Sequence, residues 1–539
     1  MVVRGTQSEV RRRKHWGWGF EDEQPSRAEL RTAAEGIRGH LGFGDGNVEE
    51  PVALERLELP APRLAPPTSL AELCTSDPYE RASHAYGKAY RDIVRAFRGR
   101  FDHVPDVVAH PHDAKQVAEL LEWCGERGAA AIPYGGGTSV VGGVEPRVGD
   151  GYAGTVTIDL GRLDRVLEVD LTSRAALIQG GATGPGLEDQ LRQHGLTLRH
   201  FPQSFQLSTL GGWIATRAGG HFATLYTHID DLVESITAVT PAGVIETRRL
   251  PGSGAGPSPD RMLLGSEGIL GVITEAWVRL QGRPVHKASA GATFPDLASG
   301  TDAVRALSQS GLHPANCRLL DPLEARVTGA SAEGALLVLG FESADHPVEA
   351  WMARALELAA DHGGTVTRRG DGKDSVGAWR DTFLRAPYLR DTFIACGVIS
   401  DTFETAITWD RFPAFHASVM DATERAVREV CGDGRVMCRF THVYPDGPAP
   451  YFTVLAPARR GSELQQWDEI KAAASDAVTA GGGTITHHHA VGRDHRPWYD
   501  RQRPDGFADA LRAAKAALDP AAILNPGVLI DPEARSVAV

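Results

Sequence analysis

The sequence predicts an α+β fold that is divided over more than one domain. Its 539 residues exceed the usual size of a single domain. Short strand-like runs alternate with amphipathic stretches of helical period, and 42% hydrophobic and 23% charged residues are typical of a globular protein. Near residue 286 the pattern changes and longer amphipathic stretches begin. These observations indicate at least two domains that contain both helices and strands.

Composition excludes several classes of protein. The formal net charge of −13 argues against a broad nucleic-acid-binding surface. The six cysteines form no CxxC pair, which favours a reducing, cytoplasmic location over a disulfide scaffold. No apolar run reaches transmembrane length, and the basic residues 11–14 precede no apolar signal segment. We interpret this basic start as a solvated arm, with a weak peripheral contact to an anionic membrane surface as the alternative.

Several elements are predicted directly from turn and helix signals. Residues 1–60 surround Trp16-Gly-Trp-Gly19, and we expect an extended arm docked by its tryptophans, followed by a helical stretch to about Gly99. Asp113 and Gly128 bracket an amphipathic helix. The further predicted elements are a buried strand at 130–133, a hairpin at 235–247, a core strand at 334–341, and helices at 186–195, 348–362, 415–430 and 507–518.

A glycine-rich loop, Pro133-Tyr-Gly-Gly-Gly-Thr-Ser139, follows the buried strand directly. Successive glycines let the backbone approach a ligand, their N–H groups can converge on an anion, and Thr and Ser add hydroxyl donors. A dinucleotide pyrophosphate is a natural occupant, although for this loop alone a plain flexible loop is an equal alternative. The spacing matches neither GxxxxGK[ST] nor GxGxxG, which excludes a P-loop and a Rossmann phosphate loop.

Two further runs of small residues follow along the chain. Residues 201–221 combine hydroxyl side chains with Gly211 and Gly212, which suits a segment that passes under a flat cofactor. Residues 264–274 carry glycines that allow close packing before a strand, where backbone groups are available to a ligand. In this order and spacing, the three motifs together form a far more specific signal than the glycine-rich loop alone.

The three motifs resemble the FAD domain of the vanillyl-alcohol oxidase superfamily and, within it, the alkyldihydroxyacetonephosphate synthase (alkylglycerone-phosphate synthase) family. The resemblance extends over nearly the whole chain and includes the segments 16–19, 98–106, 403–411, 487–492 and 525–527. It implies a PCMH-type FAD-binding domain of two subdomains and an α+β cap domain. The implied division is an N-terminal arm and helical region at 1–100, the FAD domain at 101–285, the cap at 286–475, and a C-terminal segment at 476–539 that returns to the FAD domain.

The resemblance implies that FAD is bound without a covalent link. Some members of the superfamily tether FAD to a histidine near the glycine-rich loop, whereas Tyr134 precedes the glycines here and the loop contains no histidine. The residues implied to bind the cofactor are Pro133, Gly135, Gly136, Gly137, Thr138, Ser139, Gln203, Ser204, Ser208, Thr209, Gly212, Trp213, Thr216, Gly220, His221, Glu267, Gly271, Val272 and Ile273.

Three adjacent histidines, His487, His488 and His489, are the first catalytic candidates. In an extended segment His487 and His489 would share one face, and His488 would point to the other. Histidine titrates near neutrality and can act as a general base towards an alcohol. A lone histidine is more often structural, but the family carries the same triplet, so the resemblance implies a catalytic role.

The resemblance also places an arginine and a tyrosine in the active site. The Arg390 guanidinium is suited to bidentate binding of a phosphate or carboxylate, and a surface pair with Asp391 is the alternative. The Tyr451 hydroxyl would donate to substrate near the reactive flavin nitrogen, and a tyrosine buried in a strand is the alternative. Arg318 is a weaker candidate for substrate binding at the flavin edge. The family has a cysteine where this chain has Ala449, so the local shape of the pocket differs.

The reaction implied by the resemblance replaces the acyl group of acyl-dihydroxyacetone phosphate by a fatty alcohol, without net redox change and through a substrate–flavin adduct. The alternative is an FAD-linked dehydrogenase or oxidase of a 2-hydroxy acid or alcohol. A flavin-binding protein without catalytic activity is the least favoured hypothesis. We expect a homodimer that takes a small lipid or hydroxy-acid substrate and has no nucleic-acid partner.

A metal site is not predicted. Dehydrogenases of this architecture usually carry two spaced histidines followed by a Glu-His-Gly pattern. In this chain His442 stands near the first position, Tyr451 stands about where the second histidine would fall, and His488 replaces the glutamate. The ligand set is therefore altered, although clustered imidazoles remain able to bind zinc.

Overall fold

The computed structural model describes residues 11–221, 224–331, 333–368 and 387–531. Its N-terminal strands are β1 (Cys74–Thr75), β2 (Val107–Ala109), β3 (Ala130–Tyr134), β4 (Thr155–Asp159), β5 (Val166–Asp170), β6 (Ala175–Gln179), β7 (Leu196–Thr197), β8 (Val233–Thr240), β9 (Gly243–Glu246), β10 (Val272–Arg279) and β11 (Gln281–Gly282). One sheet has the order β1-β2-β4-β3, with β2 and β3 parallel to β4. An antiparallel sheet has the order β5-β6-β10-β8-β9, and β7 pairs with β11.

The remaining strands form one seven-stranded antiparallel sheet. They are β12 (His286–Phe294), β13 (Asn316–Leu320), β14 (Ala335–Ser343), β15 (Thr365–Arg368), β16 (Val398–Glu404), β17 (Arg435–Val443) and β18 (Pro448–Pro457). Their order is β15-β12-β14-β13-β17-β18-β16. This mixture of helices and sheets confirms the predicted α+β fold.

Helices surround the three larger sheets. They are α1 (Arg27–Leu41), α2 (Pro78–Ser83), α3 (Tyr90–Phe97), α4 (Ala114–Arg127), α5 (Gly184–Arg192), α6 (Leu210–Thr216), α7 (Pro259–Leu263), α8 (Leu297–Gln309), α9 (Pro322–Val327), α10 (Glu349–Asp361), α11 (described over 387–395), α12 (Phe412–Cys431), α13 (Glu463–Ala480), α14 (Arg496–Gln502) and α15 (Asp505–Leu518). None of the described helices is long and apolar enough to span a lipid bilayer.

The strand that leads into the glycine-rich loop forms as predicted, and so does the helix before it. Asp113 caps α4 by accepting the N–H of Gln116 at 2.8 Å, and Gly128 ends the helix in the left-handed conformation at a φ of 62°. The chain then enters β3, which pairs with β4. The predicted hairpin is β8–β9, and the other predicted strand and helices correspond to β14, α5, α10, α12 and α15.

The prediction of an extended arm over 1–60 is wrong for its second half. The 15-residue α1 lies there, and its first turn has a capping box in which Ser26 and Glu29 bond each other's backbone N–H. Its buried face carries small or widely spaced residues such as Leu30 and Ala34 between charged ones. That sparse apolar stripe made the helix hard to recognise beside the tryptophan run.

The helical stretch predicted up to Gly99 is interrupted between α2 and α3. At this break Gly87 packs so closely on Ser139 that an added Cβ would overlap the Ser139 carbonyl oxygen. The N–H of Lys88 donates to that same oxygen. The break therefore places Gly87 and Lys88 against the end of the glycine-rich loop.

The first part of the arm is docked by its tryptophans, as predicted. Trp16 and Trp18 are buried, and the Trp16 ring meets Phe97 edge-on at a centroid distance of 5.2 Å. Lys14 Nζ lies 3.1 Å from Asp391 Oδ2, and the Trp18 N–H donates to the same carboxylate. A buried ion pair thus fastens the arm to α11.

Replacement of Lys14 by methionine is expected to lower the free energy of unfolding by about 3 kcal/mol, because the buried Asp391 carboxylate loses its counter-ion. Urea unfolding measures this change. The control is Lys115→Met, which removes an exposed pair with Glu119 and is expected to cost less than about 1 kcal/mol. Equal losses in the two variants would show that the Lys14 pair contributes no more than a surface contact.

Residues 524 and 525, near the end of the described chain, pack against the sheet β1-β2-β4-β3. Leu524 forms a parallel bridge with Ala131 of β3, and the Asn525 N–H donates to the Ala131 carbonyl oxygen at 2.9 Å. The Asn525 side-chain amide donates to the carbonyl oxygens of Gly143 and Glu267. The end of the described chain therefore ties the glycine-rich loop region to the third motif. The boundaries 100, 285 and 475 stay predictions.

Candidate functional site

A cavity of about 350 Å³ lies between the glycine-rich loop and the seven-stranded sheet. One side is formed by the loop and the second motif, and the other by α11 and strands β16 to β18. The predicted site residues that line it are Gly135, Gly136, Gly137, Thr138, Ser139, Gln203, Ser204, Ser208, Thr209, Gly212, Trp213, Thr216, Arg390, Tyr451, His488 and His489.

The glycine-rich loop fits a cofactor cradle. A Cβ on Gly136 would overlap the Leu207 carbonyl oxygen, so the loop packs directly on the second motif. Gly137 has a φ of 66°, a conformation that glycine adopts without strain. Within the described chain, the N–H groups of residues 135–138 make no hydrogen bond. These N–H groups and the neighbouring hydroxyls suit the pyrophosphate of a dinucleotide.

Seven residues predicted to bind the cofactor lie outside the cavity lining. Gly271, Val272 and Ile273 are buried at the start of β10, and Pro133 packs under Gly268 of the third motif. Gly220 accepts a hydrogen bond from the His442 ring at 3.0 Å. The remaining two are His221 and Glu267.

Two of the predicted site residues, the half-buried His221 and the buried Arg318, contact each other. The Arg318 guanidinium contacts the His221 ring nitrogen and carbonyl oxygen, and the His221 ring stacks on His442. Neither side chain lines the cavity. From these positions, His221 and Arg318 can support the residues around His442. Their direct contacts with flavin or substrate stay predictions.

Glu267 binds backbone groups that follow the histidine triplet. Its carboxylate accepts the N–H of Val491 at 2.9 Å and that of Gly492 at 2.8 Å. Burial raises its pKa to about 7, against the opposing effect of these two hydrogen bonds. The third motif therefore supports the histidine segment from the side of the cavity that the glycine-rich loop forms.

The extended conformation considered for the histidine triplet is not observed. The N–H groups of His487, His488 and His489 all converge on the Glu404 carboxylate, at distances from 2.6 to 3.3 Å. The Thr486 hydroxyl donates to the same carboxylate at 2.6 Å. This bend brings His488 and His489 to the cavity together, whereas His487 does not line it. The carboxylate of Glu404, at the end of β16, thus sets the shape of the segment.

The His487 ring turns towards His228 and Tyr444. His487 Nε2 lies 3.1 Å from His228 Nε2 and 2.6 Å from the Tyr444 hydroxyl oxygen. His487 Nδ1 lies 3.0 Å from His488 Nδ1. Burial lowers the pKa of His488 to about 3 and lowers the pKa values of His487 and His489 well below 6.5. The three rings are therefore uncharged at pH 7, so that each has one ring nitrogen with a lone pair.

Tyr451 and two arginines complete the polar part of the cavity. The Tyr451 ring lies 5.5 Å from His489 and 6.1 Å from His488, measured between centroids. The Arg439 guanidinium lies over the Tyr451 ring at 4.1 Å and forms an ion pair with Glu324. Burial raises the Tyr451 pKa, so its hydroxyl keeps its proton. The Arg390 guanidinium donates to the Lys88 carbonyl oxygen at 2.9 Å.

One nitrogen each of His442, His487 and His488 lie within 4.8 Å of one another, close enough to approach a shared metal ion. The His442 Nε2 already meets the Gly220 carbonyl oxygen, and both ring nitrogens of His487 face other side chains. We therefore assign no metal there, and the prediction of a metal-free site stands untested.

Sequence reasoning missed Glu404, His228 and Trp18. Glu404 is an acidic residue at the end of an otherwise apolar strand, with a fully buried side chain, and this was its only local signal. His228 precedes Ile229-Asp-Asp231 with no recognisable pattern, and the Trp18 ring reaches the cavity from the arm. The cavity also has an apolar end, which is lined by Val327, Leu389, Phe393, Met437 and Leu455.

Two family models match the chain, one for each part of the cavity. Residues 105–248 match the model described as an FAD binding domain, and residues 283–529 match that of FAD linked oxidases, C-terminal domain. The cofactor of this protein is therefore FAD.

Known proteins resemble the chain over most of its length. Alkyldihydroxyacetonephosphate synthase from Trypanosoma brucei brucei is 30% identical over 481 residues, which cover 84% of this chain and 78% of the relative. The Dictyostelium discoideum enzyme of the same name is 30% identical over 488 residues, 86% and 79% of the two chains. A solved alkyldihydroxyacetonephosphate synthase superposes with a TM-score of 0.80 at 25% identity, over 95% of this chain and 98% of that one. The chain belongs to the alkyldihydroxyacetonephosphate synthase family.

Proposed function

We propose that the protein exchanges the acyl group of an acyl-dihydroxyacetone phosphate for a fatty alcohol. The products are an alkyl-dihydroxyacetone phosphate and a fatty acid. The observation that carries this proposal is the composition of one cavity, which combines the glycine-rich loop and the second motif with a cationic side chain, neutral imidazoles and an apolar end. An anionic headgroup, a reacting alcohol and long aliphatic chains each find matching side chains there.

The polar side chains suit three tasks. Arg390 lines the cavity and would hold the phosphate through charge-assisted hydrogen bonds. The Tyr451 hydroxyl keeps its proton and would donate to a substrate oxygen. His488 or His489 is neutral and would accept the alcohol proton as the new ether bond forms and the carboxylate departs. Bound FAD supplies the electrophilic chemistry that these side chains cannot provide.

The apolar end of the cavity suits the aliphatic chains. Val327 and Leu389 lie on α9 and α11, and Met437 and Leu455 lie on neighbouring strands of the cap sheet. Burial of a chain against these residues contributes about 0.8 kcal/mol for each methylene removed from water. A free two- or three-carbon hydroxy acid would leave this end unused.

A second candidate is an FAD-linked dehydrogenase or oxidase of a 2-hydroxy acid or alcohol. The match of residues 283–529 to the FAD linked oxidases favours it. The two reactions differ in electron balance, because a dehydrogenase reduces the flavin and the exchange reaction does not.

The deciding experiment incubates the purified holoenzyme with palmitoyl-dihydroxyacetone phosphate and labelled hexadecanol. Label is expected in an ether lipid, together with free palmitate and without oxygen uptake. Anaerobic D-lactate and glycolate are expected to leave the flavin oxidised. Bleaching of the flavin by a hydroxy acid, with no labelled ether, would instead establish the dehydrogenase.

Arg390→Ala is expected to raise the KM for palmitoyl-dihydroxyacetone phosphate about tenfold to hundredfold, since a charge-assisted contact to a phosphate contributes roughly 1.5–3 kcal/mol. The KM for hexadecanol is expected to change little, and steady-state assays measure both. Arg425→Ala serves as the control, because Arg425 pairs with Asp421 on the exposed face of α12. Equal increases in the two KM values would contradict a phosphate-binding role for Arg390.

Homodimer formation, a cytoplasmic location, non-covalent attachment of FAD and a peripheral membrane contact also stay predictions. Gel filtration, release of flavin by acid precipitation and flotation with anionic vesicles test the first, third and fourth of these. The family match supports a small-molecule substrate.

A further inference from the structure

We propose that His228 is a positioning residue that determines which ring nitrogen of His488 lacks a proton. It acts through His487, in a chain of hydrogen bonds that begins at the Arg217 carbonyl oxygen and ends at the cavity. The inference rests on the proposed function, in which His488 accepts the proton of the alcohol. It adds a side chain outside the cavity lining to the machinery of that step.

The first link fixes the proton of His228. His228 Nδ1 lies 2.9 Å from the carbonyl oxygen of Arg217. A carbonyl oxygen only accepts hydrogen bonds, so Nδ1 must be the nitrogen that carries hydrogen. In its neutral form the imidazole carries a single N–H, and His228 Nε2 is then left with a lone pair.

The second hydrogen bond fixes the position of the proton on His487, the first residue of the histidine triplet. The lone pair of His228 Nε2 faces His487 Nε2 at 3.1 Å, so His487 Nε2 must donate. His487 Nδ1 is then bare, and it faces His488 Nδ1 at 3.0 Å. His488 Nδ1 must in turn carry the hydrogen.

The last link leaves the reactive nitrogen free. With hydrogen on Nδ1, the lone pair of His488 is on Nε2, and the His488 ring lines the cavity. The Glu404 carboxylate supports the same tautomer, because its Oε2 lies 3.6 Å from His488 Nδ1 and attracts the hydrogen there. His488 Nε2 is thereby prepared to accept the proton of the alcohol.

A hydrogen bond donated by Tyr444 would place the protons of His487 and His488 on the opposite ring nitrogens. Its hydroxyl oxygen lies 2.6 Å from His487 Nε2, and donation from Tyr444 would place hydrogen on His487 Nδ1 and then on His488 Nε2. His488 could not then act as a base towards the cavity. A hydroxyl group rotates and can accept instead, whereas His228 is committed by the Arg217 carbonyl. The geometry therefore favours the order that His228 imposes.

Three variants distinguish the proton arrangement that His228 imposes from the one that Tyr444 would impose. His228→Leu removes the acceptor, and kcat for hexadecanol exchange is expected to fall at least about tenfold with little change in KM, because general-base catalysis contributes roughly 10²–10⁴-fold. His228→Gln places an amide oxygen near the position of Nε2 and is expected to restore most of the loss. Tyr444→Phe is the matched control at the same nitrogen, and its kcat is expected to stay within about twofold of the wild type. FAD absorbance and the melting temperature confirm that each variant is folded.

Nitrogen NMR on histidine-labelled holoenzyme reads the tautomer without turnover. The signal that disappears in His488→Gln is expected to show a protonated Nδ1 and a bare Nε2 in the wild type, and to shift towards the other tautomer in His228→Leu. If the wild type made no labelled ether but kept this tautomer, the proposed function would fail and the His228 inference would survive. A large kcat loss in Tyr444→Phe alone, an unchanged tautomer in His228→Leu, or a tightly bound metal at His487 would overturn the inference.

Discussion

Gly136→Ala is expected to yield a protein that binds FAD roughly a hundredfold more weakly than the wild type. The added Cβ would lie 2.6 Å from the Leu207 carbonyl carbon and 2.9 Å from Ser208 Cα, in addition to overlapping the Leu207 carbonyl oxygen. All three atoms belong to the backbone, so no side-chain rotation relieves the clash. Overpacking of this kind costs about 1–3 kcal/mol, and 1.4 kcal/mol corresponds to a factor of ten in affinity.

The visible absorbance of the purified protein and titration of the apoprotein with FAD measure this loss. Gly149→Ala provides the matched control, because a Cβ at Gly149 meets no atom within 4 Å. The control is expected to keep the FAD content of the wild type. Full flavin occupancy in Gly136→Ala would mean that the loop does not form the cofactor cradle.

Glu404→Ala is expected to reduce kcat by about a hundredfold or more and to lower the free energy of unfolding by about 3 kcal/mol. The Glu404 side chain is fully buried and accepts the N–H groups of His487, His488 and His489. Without it the N–H groups of His487 and His488 and the Thr486 hydroxyl lose their acceptor, and the His489 N–H keeps only its hydrogen bond to the Thr486 hydroxyl oxygen. The segment is then expected to leave the bend that brings His488 and His489 to the cavity.

Two further variants separate shape from charge. Glu404→Gln keeps the size of the side chain but turns an amide NH₂ towards backbone donors, so an intermediate loss of kcat is expected. Thr486→Ser keeps the hydroxyl that donates to Glu404 and is expected to retain wild-type kcat. Steady-state assays and urea unfolding measure the two effects. A Glu404→Ala enzyme with wild-type kcat would show that the histidine segment holds its shape without the carboxylate.

The helix and the strand that lead into the glycine-rich loop were predicted correctly because their sequence signals are local. Both capping residues of α4 are adjacent to the helix in the sequence. The consecutive glycines after β3 indicate a loop whose backbone packs closely on its neighbours. The second motif similarly shows its close packing through small residues. Each of these signals is complete within about twenty residues, so no distant contact was needed to interpret them.

The arrangement of the histidine triplet could not be predicted in the same way. The direction of each ring depends on Glu404, which lies more than eighty residues earlier in the chain. The hydrogen bonds of His487 depend on His228, which lies 259 residues earlier in the chain. The apolar stripe of α1 failed as a signal for a different reason, because too few large residues mark its buried face.

The carboxylates that hold residues 486–492 belong to opposite halves of the molecule. Glu404 ends a strand of the cap sheet, whereas Glu267 lies just before β10 in the FAD half. Any hinge motion that separated these halves would break the hydrogen bonds between one carboxylate and its backbone donors. That carboxylate would then be buried without a donor. Residues 486–492 thus connect the cap sheet to the half of the molecule that contains β10. We therefore expect reactants to enter and leave the cavity while the two halves stay closed.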